Sequence, residues 1–177
     1  NTFHNDFAAA GFFGRINYDF MQRYLLEFNA RYDGSSRFPK GKKWAFFPSV
    51  SAGWRVSEEK FMDWAKPVLS YLKLRGSWGS IGNQDVAANS YVSTMKTTTS
   101  GWVDKTELMA LQPPTMISPT LTWERVTTLD LGLDAGFFGD ELNFTFDYYH
   151  RVTSDMHTAG ESLPATFGAS VPKINYG

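Results

Sequence analysis

Three things are absent from this sequence, and each absence excludes a class of protein. There is no cysteine among the 177 residues, which excludes a disulfide framework, thiolate metal sites and a cysteine nucleophile. No apolar run approaches the roughly 20 residues of a membrane-spanning helix. The 17 basic and 18 acidic residues nearly cancel, so the charge gives no indication of a nucleic-acid partner.

Aromatic side chains, by contrast, are abundant. The chain contains 15 Phe, 8 Tyr and 6 Trp, and yet its mean hydropathy is only -0.31. Apolar and polar residues must therefore be interleaved rather than gathered into long blocks. This combination is typical of β-strands that have one apolar face and one polar face.

Alternation with a period of two residues predicts six antiparallel strands. In the second of them, Tyr24, Leu26 and Phe28 share one face, while Glu27 and Asn29 share the other. The predicted strands cover about residues 15–20, 24–32, 46–56, 71–81, 121–138 and 142–153.

The remaining segments are predicted to be connections. One short helix is expected near 58–65, with Ser57 as its N-cap, Glu58 and Glu59 in its first turn, and Pro67 ending it. Residues 82–120 and those after 154 show no strong periodicity and are predicted to be polar loops. No linker divides the chain, so residues 1–177 are expected to be part of one domain.

Short and long connections alternate strictly along the chain. The connections near 21–23, 57–70 and 139–141 are short or compact, whereas those near 33–45, 82–120 and beyond 154 are long and polar. Up-and-down strands would bring all the short connections to one end of the sheet. Transmembrane β-barrels of outer membranes have this asymmetry, with short periplasmic turns and longer extracellular loops.

The two predicted faces differ sharply, because one is apolar and aromatic and the other carries most of the charge. The charged residues on the polar face are Arg15, Asp19, Glu27, Arg31, Arg55, Lys73, Arg75, Asp130, Asp134 and Asp147. Most of the strands are also long enough to cross a bilayer at a tilt, and aromatic residues cluster near their ends. From the residues alone, two architectures stay open: a membrane β-barrel, and a soluble secreted β-sandwich such as a carbohydrate-binding module.

No group of residues predicts catalysis. The residues with metal-ligand chemistry are His150, His157, Asp147 and Asp155, and their spacing fits neither a zinc site nor a facial triad. The spaced glycines of GSWGSIG, residues 76–82, lie in a strand rather than ahead of a helix, so they do not indicate nucleotide binding. No nucleophile elbow is present. We therefore expect no enzyme activity, no metal and no cofactor.

Two features of the predicted loops are candidates for ligand contact. The motif DGSS, residues 33–36, is interpreted as turn chemistry with local hydrogen bonds, because the twelve-residue calcium-loop pattern is absent. Trp102 lies in the longest loop, and sugars stack on exposed aromatic rings. We therefore predict that Trp102 contacts the ligand.

Several blocks of the sequence resemble the SusC/RagA-type TonB-dependent transporters of Bacteroidota outer membranes. The blocks are RYDGSSRF, WAFFPSVSAGWRVSEEKF, LKLRGSWGSIGNQ, LTWERVTTLDLGLDAGFF, LNFTFDYYHRVTSDM and SLPATFGASVPKINYG. Their order and spacing match that family, and the resemblance covers nearly the whole chain.

This resemblance implies the C-terminal part of a barrel of about 22 strands that is closed by a plug. It implies a multi-pass barrel in outer-membrane lipid, with Arg55, Arg75, Asp130 and Asp134 facing the lumen. It also implies a SusD-like surface lipoprotein as partner, energy from TonB through the N-terminal part, and a glycan or peptide as ligand. The plug domain and the closing strands are not in this sequence. An adhesin-like barrel without energy coupling is a further alternative.

Overall fold

The computed structural model describes residues 7–86, 90–103, 106–114, 116–118, 121–160, 164, 171 and 173–176. In chain order its strands are β1 (Ala9–Phe20), β2 (Tyr24–Ser35), β3 (Trp44–Arg55), β4 (Leu69–Asn83), β5 (Thr97–Val103), β6 (Thr106–Leu111), β7 (Glu124–Phe137), β8 (Leu142–Ser154), β9 (Met156–Ala159) and β10 (Lys173–Tyr176). Six of them form one antiparallel sheet with the order β1-β2-β3-β4-β7-β8. The six predicted strands are confirmed.

Consecutive pairing brings the short connections to one end of the sheet. The turns after β1 and β7 and the compact connection between β3 and β4 lie at this end. The connection between β2 and β3 and the long excursion between β4 and β7 lie at the other end. The alternation that the sequence predicts is therefore a real asymmetry between the two ends of the sheet.

The expectation of structureless loops is wrong in two places. Within 82–120, β5 pairs with β6 to form a separate hairpin, and after residue 154, β9 pairs with β10. The segment TTTSGWV of β5 contains a run of polar residues rather than an alternation of apolar and polar ones. Because these strands pair only with each other in the described part of the chain, neither face needs to be apolar, and the hydrophobic pattern gives no signal.

The connection between β3 and β4 also differs from the single helix that the sequence predicts. Two 3₁₀ helices, Val56–Glu58 and Lys60–Ala65, replace it, and neither is capped by a side chain. Ser57 therefore lies inside the first helix rather than at an N-cap. The break falls at Glu59, whose backbone is extended and whose carboxylate is held by Tyr24 and Trp54. These contacts with the strand ends interrupt the helix, which local sequence signals could not reveal.

Register across the sheet separates an apolar face from a polar face. One row of paired residues runs Ile16, Phe28, Val50, Trp78, Leu129 and His150. The adjacent row on the opposite face runs Arg15, Asn29, Ser49, Gly79, Thr128 and Arg151. On the apolar face Ile16 is 69% exposed and Phe28 is 51% exposed.

In the described part of the chain nothing is packed over this apolar face. A β-sandwich requires a second sheet there, and the two small hairpins are too short to supply one. The soluble sandwich is therefore not supported. Among the described residues, no helix is long and apolar enough to cross a membrane.

The compact core of the described chain lies where the sheet splits near the end with the long connections. Strand β3 stops pairing with β4 at Ser49 and Gly79, although β3 begins at Trp44 and β4 continues to Asn83. The buried cluster at this end consists of Phe38, Phe47, Val86, Leu121 and Trp123. Strand β7 begins later than predicted, at Glu124, because Leu121 and Trp123 belong to this cluster instead.

We predict that Gly82→Ala destabilises this cluster. A Cβ at Gly82 would overlap the ring of Phe47, which is buried edge-on against Trp123 at a centroid distance of 5.6 Å. Overpacking of this kind costs about 1–3 kcal/mol. The temperature at which the full-length protein loses its folded, faster migration in SDS gels should fall. Gly14→Ala is the control, since nothing lies within 4 Å of its added Cβ; equal effects would contradict the prediction.

Candidate functional site

The polar face of the sheet contains a charged hollow. This hollow of about 540 Å³ is lined by residues from five strands, β1, β2, β3, β4 and β7. Its charged lining consists of Asp19, Glu27, Lys73, Arg75 and Asp130. The hollow therefore extends over most of the width of the sheet.

Arg75 is the centre of an ion-pair network on this face. Its Nε lies 3.1 Å from Asp134, its Nη2 lies 2.5 Å from Asp147, and its Nη1 lies 3.9 Å from Asp130. The network joins β4, β7 and β8. One guanidinium thus faces three carboxylates, and the group carries an excess of negative charge.

Gly132 makes this network possible. It pairs with Arg75 on one side and with Asp147 on the other. A Cβ at this position would lie 2.6 Å from the guanidinium carbon of Arg75. The arginine therefore lies across the glycine backbone to reach the carboxylate two strands away.

The apolar face has aromatic rings in two groups, one near each end of the strands. Near the long connections, Trp44 stacks with Phe12 and Tyr32 at centroid distances of 6.1 and 5.0 Å. Near the short connections, rings 6.4 to 6.5 Å apart form a chain of Tyr18, Phe20, Tyr24 and Trp54. From Tyr24 to Tyr32 the strand rises roughly 26 Å, or about 20 Å along the barrel axis at the usual tilt. This spacing is close to the height of the apolar band in outer-membrane barrels.

At the end with the long connections, side chains join separate loops into one rim. Arg37 donates hydrogen bonds of 3.1 Å to the carbonyls of Gln84 and Val86. The Trp123 indole donates to the Lys43 carbonyl at 3.1 Å. The loops between β2 and β3 and between β4 and β7 are thereby held together.

The β9–β10 hairpin is fastened to the same rim. Asn175 accepts a hydrogen bond from the Thr122 N–H and donates to the Thr122 carbonyl, both at 3.0 Å. It also donates to the Asp155 carbonyl at 2.7 Å. His157 Nε2 lies 2.7 Å from the Thr122 carbonyl. The Asn175 side-chain amide therefore bonds to both the N–H and the carbonyl of Thr122, as the backbone of a neighbouring strand would.

The site residues predicted from the sequence fall into two groups. Arg55, Arg75, Asp130 and Asp134 lie on the same, polar face of the sheet, and Arg55 pairs in register with Lys73. Trp102 lies outside this sheet, on the β5–β6 hairpin, with 68% of its surface exposed.

The remaining candidates have structural roles. Residues 33–35 of DGSS belong to the end of β2, and the Ser35 hydroxyl accepts a hydrogen bond from the Arg37 N–H at 3.2 Å. Ser36 Oγ likewise accepts from the Ala8 N–H at 2.9 Å. Among the described residues there is no group of three His, Cys, Asp or Glu that could hold a metal ion.

Two groups of residues were not singled out by sequence reasoning. The sequence shows Gly132 only as the glycine of the segment DLGLD. Its role in making room for Arg75 depends on the register between β4 and β7, which the sequence does not give. The buried rim cluster was hidden because Phe38 and Val86 lie in predicted loops. An aromatic residue beside proline in a charged loop, as in RFPK, is the local signal that could have indicated burial.

A sheet with one charged face and one apolar face that is bordered by aromatic residues at both ends has the features of a transmembrane β-barrel wall. The chain belongs to the TonB-dependent receptor-like β-barrel family, whose model matches residues 1–177. This is a family of outer-membrane proteins, and the resemblance found in the sequence is confirmed.

Named relatives agree with this assignment. The chain is 37% identical over 155 residues to TonB-dependent receptor P26 of Formosa agariphila. This alignment covers 86% of this chain and 15% of that protein. It is 36% identical over 152 residues to TonB-dependent receptor SusC of Bacteroides thetaiotaomicron, covering 84% of this chain and 15% of that protein.

Solved structures show the same similarity. A chain of the RagAB peptide importer in its closed-closed state superposes with a TM-score of 0.81 at 27% identity, covering 96% of this chain and 18% of that chain. The open-open state gives a TM-score of 0.80. The chain thus spans less than a fifth of the length of the relatives that it matches.

We predict that Arg75→Met destabilises the sheet at neutral pH. The substitution leaves the carboxylates of Asp130, Asp134 and Asp147 facing one another without a cation. Since Arg75 is about one third exposed, we expect a loss of only about 1–2 kcal/mol. Urea unfolding of the full-length protein in lipid vesicles measures this loss.

A second substitution identifies the cause. Adding Asp134→Asn to Arg75→Met removes one of the three uncompensated carboxylates, so the double variant should recover part of the loss at neutral pH. A double variant that recovers nothing would show that lost packing, not charge, is responsible.

Proposed function

We propose that this chain forms part of the wall and extracellular rim of a TonB-dependent outer-membrane transporter for nutrient uptake. The observation that carries the proposal is the sheet with two unlike faces. Its apolar face has two aromatic belts about 20 Å apart along the barrel axis and no protein cover in the described residues. Its polar face carries the charged side chains and the hollow, as a face toward an aqueous lumen must.

Membership of the family supports the direction of the sheet in the membrane. The short connections would lie in the periplasm and the fastened rim outside the cell, as in other outer-membrane barrels. In this orientation Arg55, Arg75, Asp130 and Asp134 face the lumen. We propose that the rest of the barrel and the plug come from parts of the protein outside this sequence, through which TonB would supply energy. The proposed activity is transport and not catalysis.

The proposed partner outside the cell is a SusD-like surface lipoprotein that closes over the barrel mouth. The support is the similarity to SusC and to a chain of the RagAB importer. The rim itself is consistent with this role, because hydrogen bonds at Arg37, Trp123 and Asn175 hold several loops in fixed positions. A pre-ordered rim lowers the entropic cost of binding a partner.

The ligand class is proposed to be a glycan or a peptide. The resemblance to SusC/RagA-type transporters implies either class, and the RagAB importer is described as a peptide importer. Trp102 is the proposed contact, since its ring is 68% exposed on the β5–β6 hairpin. An indole presents a flat apolar surface with one donor, which suits either the face of a sugar or a peptide side chain.

Phe146→Arg tests the lipid-facing assignment. Phe146 is 57% exposed on the apolar face of β8 and pairs with Leu133. An arginine near the bilayer midplane costs about 2–4 kcal/mol in a barrel. We expect less full-length protein assembled in the outer membrane, as measured by heat-modifiable migration of outer-membrane fractions.

Thr145→Arg is the matched control. Thr145 is the preceding residue, exposed on the polar face of the same strand, so an arginine there should remain hydrated and assembly should be nearly normal. If both substitutions were tolerated equally, or impaired assembly equally, the face assignment would be wrong.

Trp102→Ala tests the ligand contact. Truncating an aromatic anchor typically costs 2 kcal/mol or more, so affinity should fall at least about tenfold. The measurement is binding of labelled oligosaccharides and labelled synthetic peptides to the full-length transporter in detergent. Whichever set binds identifies the ligand class. Trp64→Ala, at the opposite end of the sheet, should leave affinity unchanged, and an unchanged affinity for Trp102→Ala would remove Trp102 from the site.

A further inference from the structure

The second 3₁₀ helix, Lys60–Ala65, leaves large apolar side chains uncovered at the end with the short connections. Trp64 is 81% exposed and Phe61 is 59% exposed, and Val68, just beyond the helix, is 51% exposed. These residues lie beyond the strands, so neither the apolar band nor the core of the rim accounts for them. A polar turn would connect β3 to β4 equally well.

The period of the helix sorts its residues into three ridges. A 3₁₀ helix has three residues per turn, so residues three apart lie above one another. Phe61 and Trp64 form an apolar ridge. A second ridge, Lys60, Asp63 and Lys66, is charged, and Lys66 Nζ lies 2.7 Å from the Asp63 carboxylate.

The third ridge, Met62 and Ala65, is partly buried, whereas the other two ridges are exposed. The side of the helix with Met62 and Ala65 therefore packs toward the protein. The Phe61–Trp64 ridge is left pointing away from the sheet. The helix is amphipathic over only two turns.

Glu59 fixes this helix to the apolar face of the sheet. Its carboxylate accepts hydrogen bonds from the Tyr24 hydroxyl at 2.7 Å and from the Trp54 indole at 3.3 Å, and it lies 3.5 Å from Arg23. Tyr24 and Trp54 stack on each other at the end of the apolar face. The hydrogen bonds from Tyr24 and Trp54 lower the pKa of Glu59, so the carboxylate stays charged at neutral pH. The helix thus starts directly below the aromatic belt.

We propose that the Phe61–Trp64 ridge inserts into the lipid surface of the periplasmic leaflet and anchors the β3–β4 connection there. The proposal rests on the proposed function, because it takes the neighbouring apolar face to lie in lipid. Trp and Phe are favoured at the headgroup level, where an amphipathic segment lies in the plane of the interface. The ridge continues the belt of Tyr24 and Trp54 beyond the ends of the strands.

The size and the charge of the surface favour lipid over a protein partner. Two aromatic side chains and a valine are far less than the area of a specific protein interface, which involves 20–30 residues on each side. A lipid boundary needs no such area. Lys60 flanks the apolar ridge, where its ammonium group can reach lipid phosphates while its stem covers apolar surface.

Spin labels test this placement in the full-length transporter, free of other cysteines and reconstituted in phosphatidylethanolamine–phosphatidylglycerol vesicles. Labels are attached to Trp64→Cys on the apolar ridge, Lys60→Cys on the charged ridge, and Ile16→Cys on the apolar face. Collision rates with oxygen, which prefers lipid, and with a nickel chelate, which stays in water, report the surroundings of each label. We expect the oxygen-to-nickel ratio at 64 to exceed that at 60 several-fold.

Any other result for the label at position 64 contradicts the proposal that the Phe61–Trp64 ridge is anchored in lipid. A ratio at 64 equal to that at 60 places the ridge in water, and protection from both reagents shows that protein covers it. The label at position 16 separates this proposal from the proposed function. A label in lipid at position 16 together with a label in water at position 64 would contradict the anchor alone. Labels in water at both positions would contradict both the anchor and the lipid-facing sheet. If Trp64→Cys does not regain heat-modifiable migration, Phe61→Cys reports on the same ridge.

Discussion

The sheet has two faces and only one of them is polar, and this constraint determines the rest of the molecule. Its apolar face presents side chains such as Ile16, Phe28 and Leu131 with half or more of their surface exposed. In water such a surface would drive association, because exposed apolar area on this scale is rarely left free. A lipid environment removes the problem without a second protein layer. The small number of buried apolar residues in the described chain follows from the same fact.

Stability must then come from contacts within one layer. Backbone pairing satisfies the peptide groups between neighbouring strands, which is a requirement in a bilayer. On the polar face, Arg75 ties three strands together through Asp134 and Asp147, and Gly132 gives it the room to do so. At the rim, where the sheet splits, Phe47 and Trp123 fill the gap that backbone pairing leaves. The rim is therefore held by side-chain packing, and the rest of the wall by strand pairing together with the Arg75 network.

Much of this architecture could be predicted from the sequence, because the alternation of apolar and polar residues in a strand is visible in the order of the residues. Leu26 and Phe28 alternate with Glu27 and Asn29, and so the strands and their faces follow from local order. Contacts between distant residues could not be predicted in this way. Glu59 breaks the expected helix because Tyr24, 35 residues away, binds its carboxylate. Leu121 and Trp123 read as strand residues but pack into the rim, and the polar run of β5 hid a hairpin. The role of Trp102 remains a prediction.

The central claim is that this sheet is a barrel wall with lipid on its apolar side and an aqueous lumen on its polar side. The most direct test is a cryo-EM structure of the full-length protein in lipid nanodiscs. The account predicts a further strand paired with the free edge of β1 and another with the free edge of β8, and lipid density against Phe28 and Leu131. Arg75 and Asp134 should face the lumen. A second protein layer packed on the apolar face would contradict the account.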